Sequence, residues 1–127
     1  MEVDWDDLVI ETDQTRSFEG QPFSGQAVVR RPDGSIESRV AFEDGFMCGP
    51  FSDYYAGGQV ECRGNMRYDA YEGEIEYFTV EGILQKSETY ERGVCMRRRE
   101  MMNGVVVAEW SFWDEGGTSR STKRGSE

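Results

Sequence analysis

Two glutamates, Glu74 and Glu76, are the residues whose type and spacing in this sequence come closest to a catalytic or cation-binding pair. Residues two apart on a strand share a face, so their carboxylates would lie side by side, as in a glycosidase or a hard-cation site. Glutamates that alternate along a strand are more often a solvated face, and the absence of histidine excludes Ser-His, Cys-His and His-bearing metal sites. We therefore expect no catalytic residue, no metal site and no cofactor, and an enzyme that uses these glutamates is the last-ranked hypothesis.

The cysteines and the N-terminus indicate a reduced, cytoplasmic protein. Cys48, Cys62 and Cys95 form an odd set without a CxxC spacing, which favours free thiols over disulfides or a zinc site. The first residues lack the basic start and apolar run of a signal peptide, and no apolar run approaches the roughly 18 residues that span a bilayer. We expect a cytoplasmic location without membrane insertion.

Acidic residues dominate the charge and cluster in two places. The chain has 25 acidic and 14 basic residues and a formal net charge of −11, which disfavours binding to nucleic acid and anionic membranes and favours cationic partners. One cluster occupies residues 2–13. The other interleaves carboxylates with aromatic rings between Arg67 and Lys86, and consists of Asp69, Tyr71, Glu72, Glu74, Glu76, Tyr77, Phe78 and Glu81. Aromatic anchors within a charged surround are typical of protein interfaces, although solubility and edge protection also explain acidic clusters.

The elements that must position these residues follow from a repeat of 24 residues. Three anchors recur at this step: an opening glycine, a second glycine nine residues later, and an apolar residue two places beyond that glycine. The anchors are Gly25, Gly49 and Gly73, then Gly34, Gly58 and Gly82, and finally Ile36, Val60 and Leu84. A fourth, shortened unit has Arg97 in place of the opening glycine, as terminal repeats commonly depart from the pattern.

Each unit also carries a hairpin signal. The pairs Asp33-Gly34, Gly57-Gly58, Glu81-Gly82 and Asn103-Gly104 lie between β-prone segments, and such pairs favour two-residue type I′ turns. Because a single hairpin is marginal in water, successive hairpins must pair edge to edge. The sequence therefore predicts an all-β fold, in which tandem hairpin repeats form one elongated, twisted antiparallel sheet. Strand alternation assigns more of the core to the face that carries Ala27, Val29, Phe51, Asp53, Ile75 and Tyr77.

We predict one domain over residues 1–115, with repeats at about 18–41, 42–65, 66–89 and 90–112. Residues 1–17 form an acidic cap over one sheet edge, and the segment VVVAEWSFW covers the other edge. Residues 116–127 are rich in glycine, serine and threonine and are predicted to be a flexible tail.

Residues 18–112 resemble the MORN repeat family, in particular the bacterial MORN-variant repeats of antitoxin-like proteins. Units of that family read roughly as an aromatic residue, a glycine and then G-x-x-x-x-Y-Y-x-x-G-x-L. The second unit, FEDGFMCGPFSDYYAGGQVECRG, matches best, whereas the tyrosine pair is replaced by Arg30-Arg31 in the first unit and by Phe78-Thr79 in the third. The resemblance implies a hairpin-repeat sheet and, in the bacterial branch, a role as an antitoxin or immunity protein.

The leading functional hypothesis is an immunity protein that binds a cationic, cytosol-acting toxin domain at one-to-one stoichiometry and covers its active site. The predicted partner-binding residues combine carboxylates with aromatic anchors: Asp53, Tyr54, Tyr55, Glu72, Glu74, Glu76, Tyr77, Phe78 and Glu81. The alternative is a scaffolding or phospholipid-associated module that uses the basic stretches 97–99 and 120–124. For the three arginines at 97–99, ion pairs with nearby carboxylates are the simpler interpretation.

Overall fold

The structure is a computed structural model that describes residues 1–112 and the backbone of residues 121–123. In chain order its elements are β1 (Glu2–Asp4), a 3-10 turn (Trp5–Asp7), β2 (Val9–Ile10), β3 (Arg16–Phe18), β4 (Gln21–Pro22), β5 (Gly25–Arg30), β6 (Ile36–Glu43), β7 (Phe46–Tyr54), β8 (Val60–Arg67), β9 (Ala70–Phe78), β10 (Leu84–Glu91), β11 (Val94–Met102), β12 (Val105–Ser111) and β13 (Ser121–Lys123). No described helix is long and apolar enough to cross a membrane.

The strands form one large sheet and one small sheet, which confirms the all-β hairpin-repeat fold. From β5 to β12, each strand pairs antiparallel with the next strand along the chain. The short strand β1 pairs in parallel with β5 at one edge, so that the ten-stranded sheet is mixed, and β13 pairs with β12 at the other edge. The strands β2, β3 and β4 make the small antiparallel sheet. Of the predicted tail, only residues 121–123 are described, as β13.

The turns within the first three units differ from the predicted type I′ geometry. In the loop at Asp33-Gly34 only the glycine has a positive φ, of 91°, and Arg31 pairs with Ser35 through an N–H···O distance of 2.8 Å. The loops at Gly57-Gly58 and Glu81-Gly82 repeat this arrangement. Each is a three-residue hairpin loop, in which a type I turn is followed by a left-handed glycine. The prediction of two-residue turns was therefore wrong at these three positions and right at Asn103-Gly104, where φ is 52° and 78°.

Two-residue turns instead join one unit to the next. Asp44-Gly45, Tyr68-Asp69 and Arg92-Gly93 have positive φ at both positions, which is the requirement of type I′ geometry. From β5 to β11 the three-residue loops and the two-residue turns alternate along the chain, so the two kinds lie at opposite ends of the sheet, and the turn at Asn103-Gly104 lies at the end with the three-residue loops. We call the end with Asp44-Gly45, Tyr68-Asp69 and Arg92-Gly93 the two-residue-turn end.

The opening glycines of the repeat mark irregularities of the strands. Gly49 and Gly73 have φ values of 109° and 78°, and the register of β6 with β7 and of β8 with β9 shifts beside them. An extra residue at such a bulge bends the strand and increases its twist. The repeat of glycines in the sequence therefore encodes regular bends of a continuous sheet.

The core consists of two clusters. Phe23, Ala27 and Phe42 form the first, which is covered by side chains of the N-terminal segment, among them Trp5 and Leu8. Phe51, Cys62 and Ile75 form the second, on the face that the alternation predicts to be the core face. Its surrounding apolar side chains, Val40, Met66, Tyr71, Tyr77 and Tyr90, all come from strands of the same sheet. The sheet thus buries its second cluster with its own tyrosines.

The three-residue loops allow a matched test of backbone strain. We expect Gly58→Ala to lower the free energy of unfolding by about 1 kcal/mol, because an L-residue is strained at a φ of 96° although a new Cβ has open space there. The neighbouring Gly57→Ala is the control, since its φ is not positive and a Cβ would meet only the flexible end of Gln59. Urea unfolding of both variants measures the difference. Equal losses in the two variants would contradict the loop geometry.

Candidate functional site

The predicted partner-binding residues do not share one surface. Glu74, Glu76 and Phe78 alternate along β9 and lie on the face that also carries Arg63 and, from β7, Tyr54. We call this side of β7–β9 the Arg63 face. Asp53 and Tyr77 lie on the opposite side, with the second core cluster. We call that side the Tyr77 face.

On the Arg63 face, one guanidinium lies between a carboxylate and an aromatic ring. Arg63 Nε donates a hydrogen bond of 3.0 Å to Glu76 Oε1, and the guanidinium carbon of Arg63 lies 5.0 Å from the centre of the Phe78 ring. One unit earlier, Arg39 and Tyr54 line a shallow groove, and Arg39 lies 3.6 Å from Glu2. An ion pair combined with a cation–π contact is the chemistry by which a surface binds arginine. The Arg63 face already displays that chemistry within the chain.

The hydroxyl of Tyr55 has a structural role. It donates a hydrogen bond of 2.6 Å to the carbonyl oxygen of Phe78, in the next repeat. The residue 24 positions earlier, Arg31, likewise donates from its side chain to the carbonyl of Tyr54. The second position of the tyrosine pair therefore joins consecutive units, which explains why an arginine can replace a tyrosine there. In the third unit, Thr79 instead accepts the N–H of Ile83 in its own loop.

Of the other predicted carboxylates, Glu72 lies near the start of β9 and Glu81 lies beyond its end. Glu72 Oε1 accepts a hydrogen bond of 3.0 Å from the backbone N–H of Arg92, which ties two neighbouring hairpins together. Glu81 is exposed in the three-residue loop after Phe78. Glu74 and Glu81 have no hydrogen bond or ion pair with any described residue, so both carboxylates are available to a partner.

The Tyr77 face holds a buried carboxylate that was not selected from the sequence. Glu88 is 5% exposed, and its Oε1 accepts hydrogen bonds from the hydroxyls of Tyr77 at 3.0 Å and Tyr90 at 3.2 Å. Its Oε2 accepts a hydrogen bond of 3.1 Å from Arg98 Nε and lies 4.0 Å from Lys86 Nζ. Every oxygen of the buried group is thus satisfied. We call Tyr77, Lys86, Glu88, Tyr90 and Arg98 the Glu88 cluster.

The repeat itself contained the signal for Glu88. Positions 40, 64 and 88 are equivalent at the 24-residue step, and they hold Val40, Gly64 and Glu88. Gly64 leaves room for the side chain of Ile75, whose Cδ1 would lie 2.3 Å from a Cβ at that position. A carboxylate at a position that is otherwise apolar or empty predicts a buried polar group that needs its own partners.

Burial and the nearby carboxylate change the acidity of this cluster. Desolvation, together with the hydrogen bond to Glu88, raises the pKa of Tyr77 well above its ordinary value, and desolvation and the charge of Glu88 raise the pKa of Tyr90. Burial, with a smaller effect of Asp53, raises the pKa of the Cys62 thiol to about 12. At neutral pH these groups are protonated, so the tyrosines serve as hydrogen-bond donors and the thiol is a weak nucleophile.

The three arginines of residues 97–99 are all ion-paired. Arg97 and Arg99 lie 3.9 and 3.0 Å from Glu109, and Arg98 lies 3.1 Å from Glu88. The simpler interpretation of this basic stretch, local ion pairs, is therefore confirmed. Among the described residues, no group of three or more His, Cys, Asp or Glu side chains could hold a metal ion.

Comparison with known proteins does not assign a family. No protein-family model and no curated protein matches the chain. A solved structure described as a crystal structure of a GtfA/B complex bound to UDP and GlcNAc is similar to this fold with a TM-score of 0.46 and 10% sequence identity. The match covers 73% of this chain and 21% of that one. A likeness at this level carries no functional argument.

The Glu88 cluster predicts that removing one side chain lowers the stability of the fold substantially. Glu88→Ala should lower the free energy of unfolding by about 3 kcal/mol, because it leaves the guanidinium of Arg98 and two tyrosine hydroxyls without their acceptor. Glu100→Ala removes an exposed carboxylate from the adjacent strand and should change stability little. Urea unfolding at neutral pH compares the two. A loss for Glu88→Ala no larger than the control's would show that the cluster contributes nothing.

The raised tyrosine pKa values predict a loss of stability in alkali. The folded state holds the phenol protons of Tyr77 and Tyr90 more tightly than the unfolded state, so their contribution is complete below the ordinary value of 10 and falls as the pH rises above it. We expect the double variant Tyr77→Phe/Tyr90→Phe to show a shallower fall in the free energy of unfolding above pH 10 than the unmodified protein. Tyr68→Phe, at an exposed position, is the control. Parallel curves for all three proteins would refute the assignment.

Proposed function

We propose that this protein is an immunity protein or antitoxin: a stoichiometric, non-enzymatic binding module that occupies the active site of a cationic toxin domain acting in the cytosol. Two unpaired carboxylates, Glu74 on the Arg63 face and Glu81 in the loop that follows β9, attract the partner, and Tyr54 and Phe78 supply its apolar contacts. The proposal agrees with the MORN-variant resemblance of the repeats, which points to the same class of protein.

The main support is the imbalance between cations and carboxylates. Most arginines of the described chain are already used within it, since Arg30, Arg39, Arg63, Arg97, Arg98 and Arg99 all have a carboxylate within 4.0 Å. Carboxylates are in excess over the whole sequence, with a net charge of −11, and the described ones within 4.0 Å of a cationic side chain are Glu2, Asp4, Glu76, Glu88 and Glu109. A surface of this kind raises the association rate with a positively charged cleft, and toxins that act on nucleic acid or nucleotides need such a cleft.

The geometry of the Arg63 face supplies a second argument. The chain holds its own Arg63 between Glu76 and the ring of Phe78, at 3.0 Å and 5.0 Å. Glu74 lies two residues before Glu76 on the same strand face and has no such cation among the described residues. A partner lysine or arginine at Glu74 would extend this row of charges without displacing Arg63.

The scaffolding or phospholipid-associated alternative has less support. It assigns phosphate contact to the basic stretches 97–99 and 120–124, but the arginines at 97–99 are engaged by Glu88 and Glu109. The basic residues at 120 and 124 lie outside the described residues.

The decisive experiment isolates the partner and tests its toxicity. The tagged protein is recovered from its own host at low salt, and native mass spectrometry measures what remains bound. We expect a basic protein at one-to-one stoichiometry that arrests growth when expressed alone and is harmless when expressed together with this protein. A partner without toxicity would overturn the immunity assignment, and bound lipid would favour the scaffolding alternative.

Charge variants test the proposed surface. With the isolated partner, Glu74→Gln/Glu81→Gln should weaken binding by about tenfold, mainly through slower association, and should reduce the dependence of the Kd on salt. Glu19→Gln/Glu100→Gln is a matched control, because it removes two exposed carboxylates that lie outside β7–β9, in the turn after β3 and on β11. If the two double variants lose equal affinity, the attraction comes from the total charge and the Arg63 face is not the interface.

A further inference from the structure

An open groove of about 940 Å³ lies at the two-residue-turn end of the sheet. It runs between the turn at Tyr68-Asp69 and the turn at Arg92-Gly93, and Tyr68, Ala70, Val94 and Met96 provide its apolar lining. Tyr68 and Val94 are among the most exposed large apolar side chains of the described chain, at 65% and 51%. Exposed apolar groups gathered in one concave surface are typical of a docking site.

The groove is also lined by two arginines that form no ion pair with any described residue. Arg67 contacts only the ring of Tyr68, with its guanidinium carbon 5.8 Å from the ring centre, and the side chain of Arg92 has no hydrogen bond or ion pair with any described residue. Two carboxylates also line the groove, but Glu72 is engaged by a backbone N–H, and Glu91 forms no ion pair of 4.0 Å or less with a described residue. In a chain whose arginines are mostly neutralised by its own carboxylates, two free guanidiniums beside one groove indicate an anionic ligand.

Comparison of equivalent positions explains the open space. Phe46 follows the turn at Asp44-Gly45, and its ring packs edge-on against Tyr68 with 5.5 Å between ring centres. The residue 24 positions later, after the next turn, is Ala70. The alanine methyl lies beside Gly93 but is too short to cover Arg92 as the Phe46 ring covers Tyr68. The space that an aromatic ring fills in one unit is therefore open in the next.

We propose that this groove is a docking site for a protein segment in which an aromatic side chain is flanked by carboxylates. The aromatic ring enters the space beside Ala70 and Val94, and the carboxylates bind Arg67 and Arg92. The site goes beyond the proposed immunity function, because it lies at the turn end of the sheet and recognises an anionic segment rather than a cationic cleft. Either proposal can therefore fail without the other.

The test uses a defined probe, the peptide acetyl-Gly-Asp-Phe-Asp-Gly-amide, and backbone amide chemical shifts of the ¹⁵N-labelled protein. We expect shift changes that saturate with peptide concentration and centre on Tyr68, Ala70, Arg92 and Val94. The same peptide with lysine in place of aspartate, and the peptide with alanine in place of phenylalanine, should each bind at least about tenfold more weakly. Equal or tighter binding of the lysine peptide would overturn the proposal, as would changes centred elsewhere.

Two variants of the protein test the two parts of the site separately. Ala70→Phe places a ring in the groove from within and should abolish peptide binding, and Arg67→Gln/Arg92→Gln should weaken binding by about tenfold or more. Arg39→Gln/Arg99→Gln removes the same charge from ion-paired positions and should leave the affinity unchanged. If Ala70→Phe fails to fold, as judged by circular dichroism, the arginine variants still decide. Unchanged affinity in Arg67→Gln/Arg92→Gln would refute the site.

Discussion

Strand pairing from each hairpin to the next is the interaction on which the rest of this structure depends. Apart from the N-terminal segment, the described part of the chain forms a single layer, so each central strand is held by its two neighbours in the same sheet. Hydrogen bonds from each two-residue turn to the preceding unit add to this strand pairing. The N–H groups of Gly45, Asp69 and Gly93 donate to the carbonyls of Phe23, Met47 and Tyr71 at 2.8, 3.0 and 3.1 Å, each to the residue 22 positions earlier. The feature that the repeats share most regularly is therefore their backbone hydrogen bonding, and their side-chain packing varies more from unit to unit.

A single layer must also bury its core without a second layer, and the tyrosines meet this requirement. Tyr71 stacks on Phe51 with 5.5 Å between ring centres and meets Tyr90 edge-on at 5.0 Å, so that Ile75 beneath them is fully buried. Tyrosine suits such a cover because its ring shields apolar side chains while its hydroxyl can still form a hydrogen bond, as those of Tyr77 and Tyr90 do. Glu88 accepts hydrogen bonds from the hydroxyls of Tyr77 and Tyr90 and from Arg98, and it thereby holds these two rings over the core.

The sequence predicted the structure correctly wherever a residue type occurs at a position mainly for one reason, either a backbone conformation or burial. The glycines at 24-residue intervals predicted where the hairpins lie, and alternation assigned Ala27, Phe51 and Ile75 to the buried face. The turn type was wrong at three positions, because a left-handed glycine is needed both in a type I′ turn and after a type I turn. Only the length of the loop separates the two, and this depends on strand pairing that is not local.

The candidate site was harder to predict, because residues that are close in sequence lie on opposite faces of the sheet. Successive residues on a strand point to opposite faces, so Glu76 and Tyr77 cannot contact the same region of a partner. The two residues of the pair Tyr54 and Tyr55 also have different roles. The hydroxyl of Tyr55 is hydrogen-bonded to the next unit, whereas the ring of Tyr54 lines a groove. In a β-repeat protein, a cluster of charged and aromatic residues along the sequence therefore overestimates the number of residues in an interface.

Equivalent positions of successive units are the better guide, because they lie side by side on one face and differ only where a side chain has taken a separate role. Glu88 and Ala70 differ in this way from the residues at their equivalent positions. Glu88 is buried with its own hydrogen-bond partners, and Ala70 leaves a groove open.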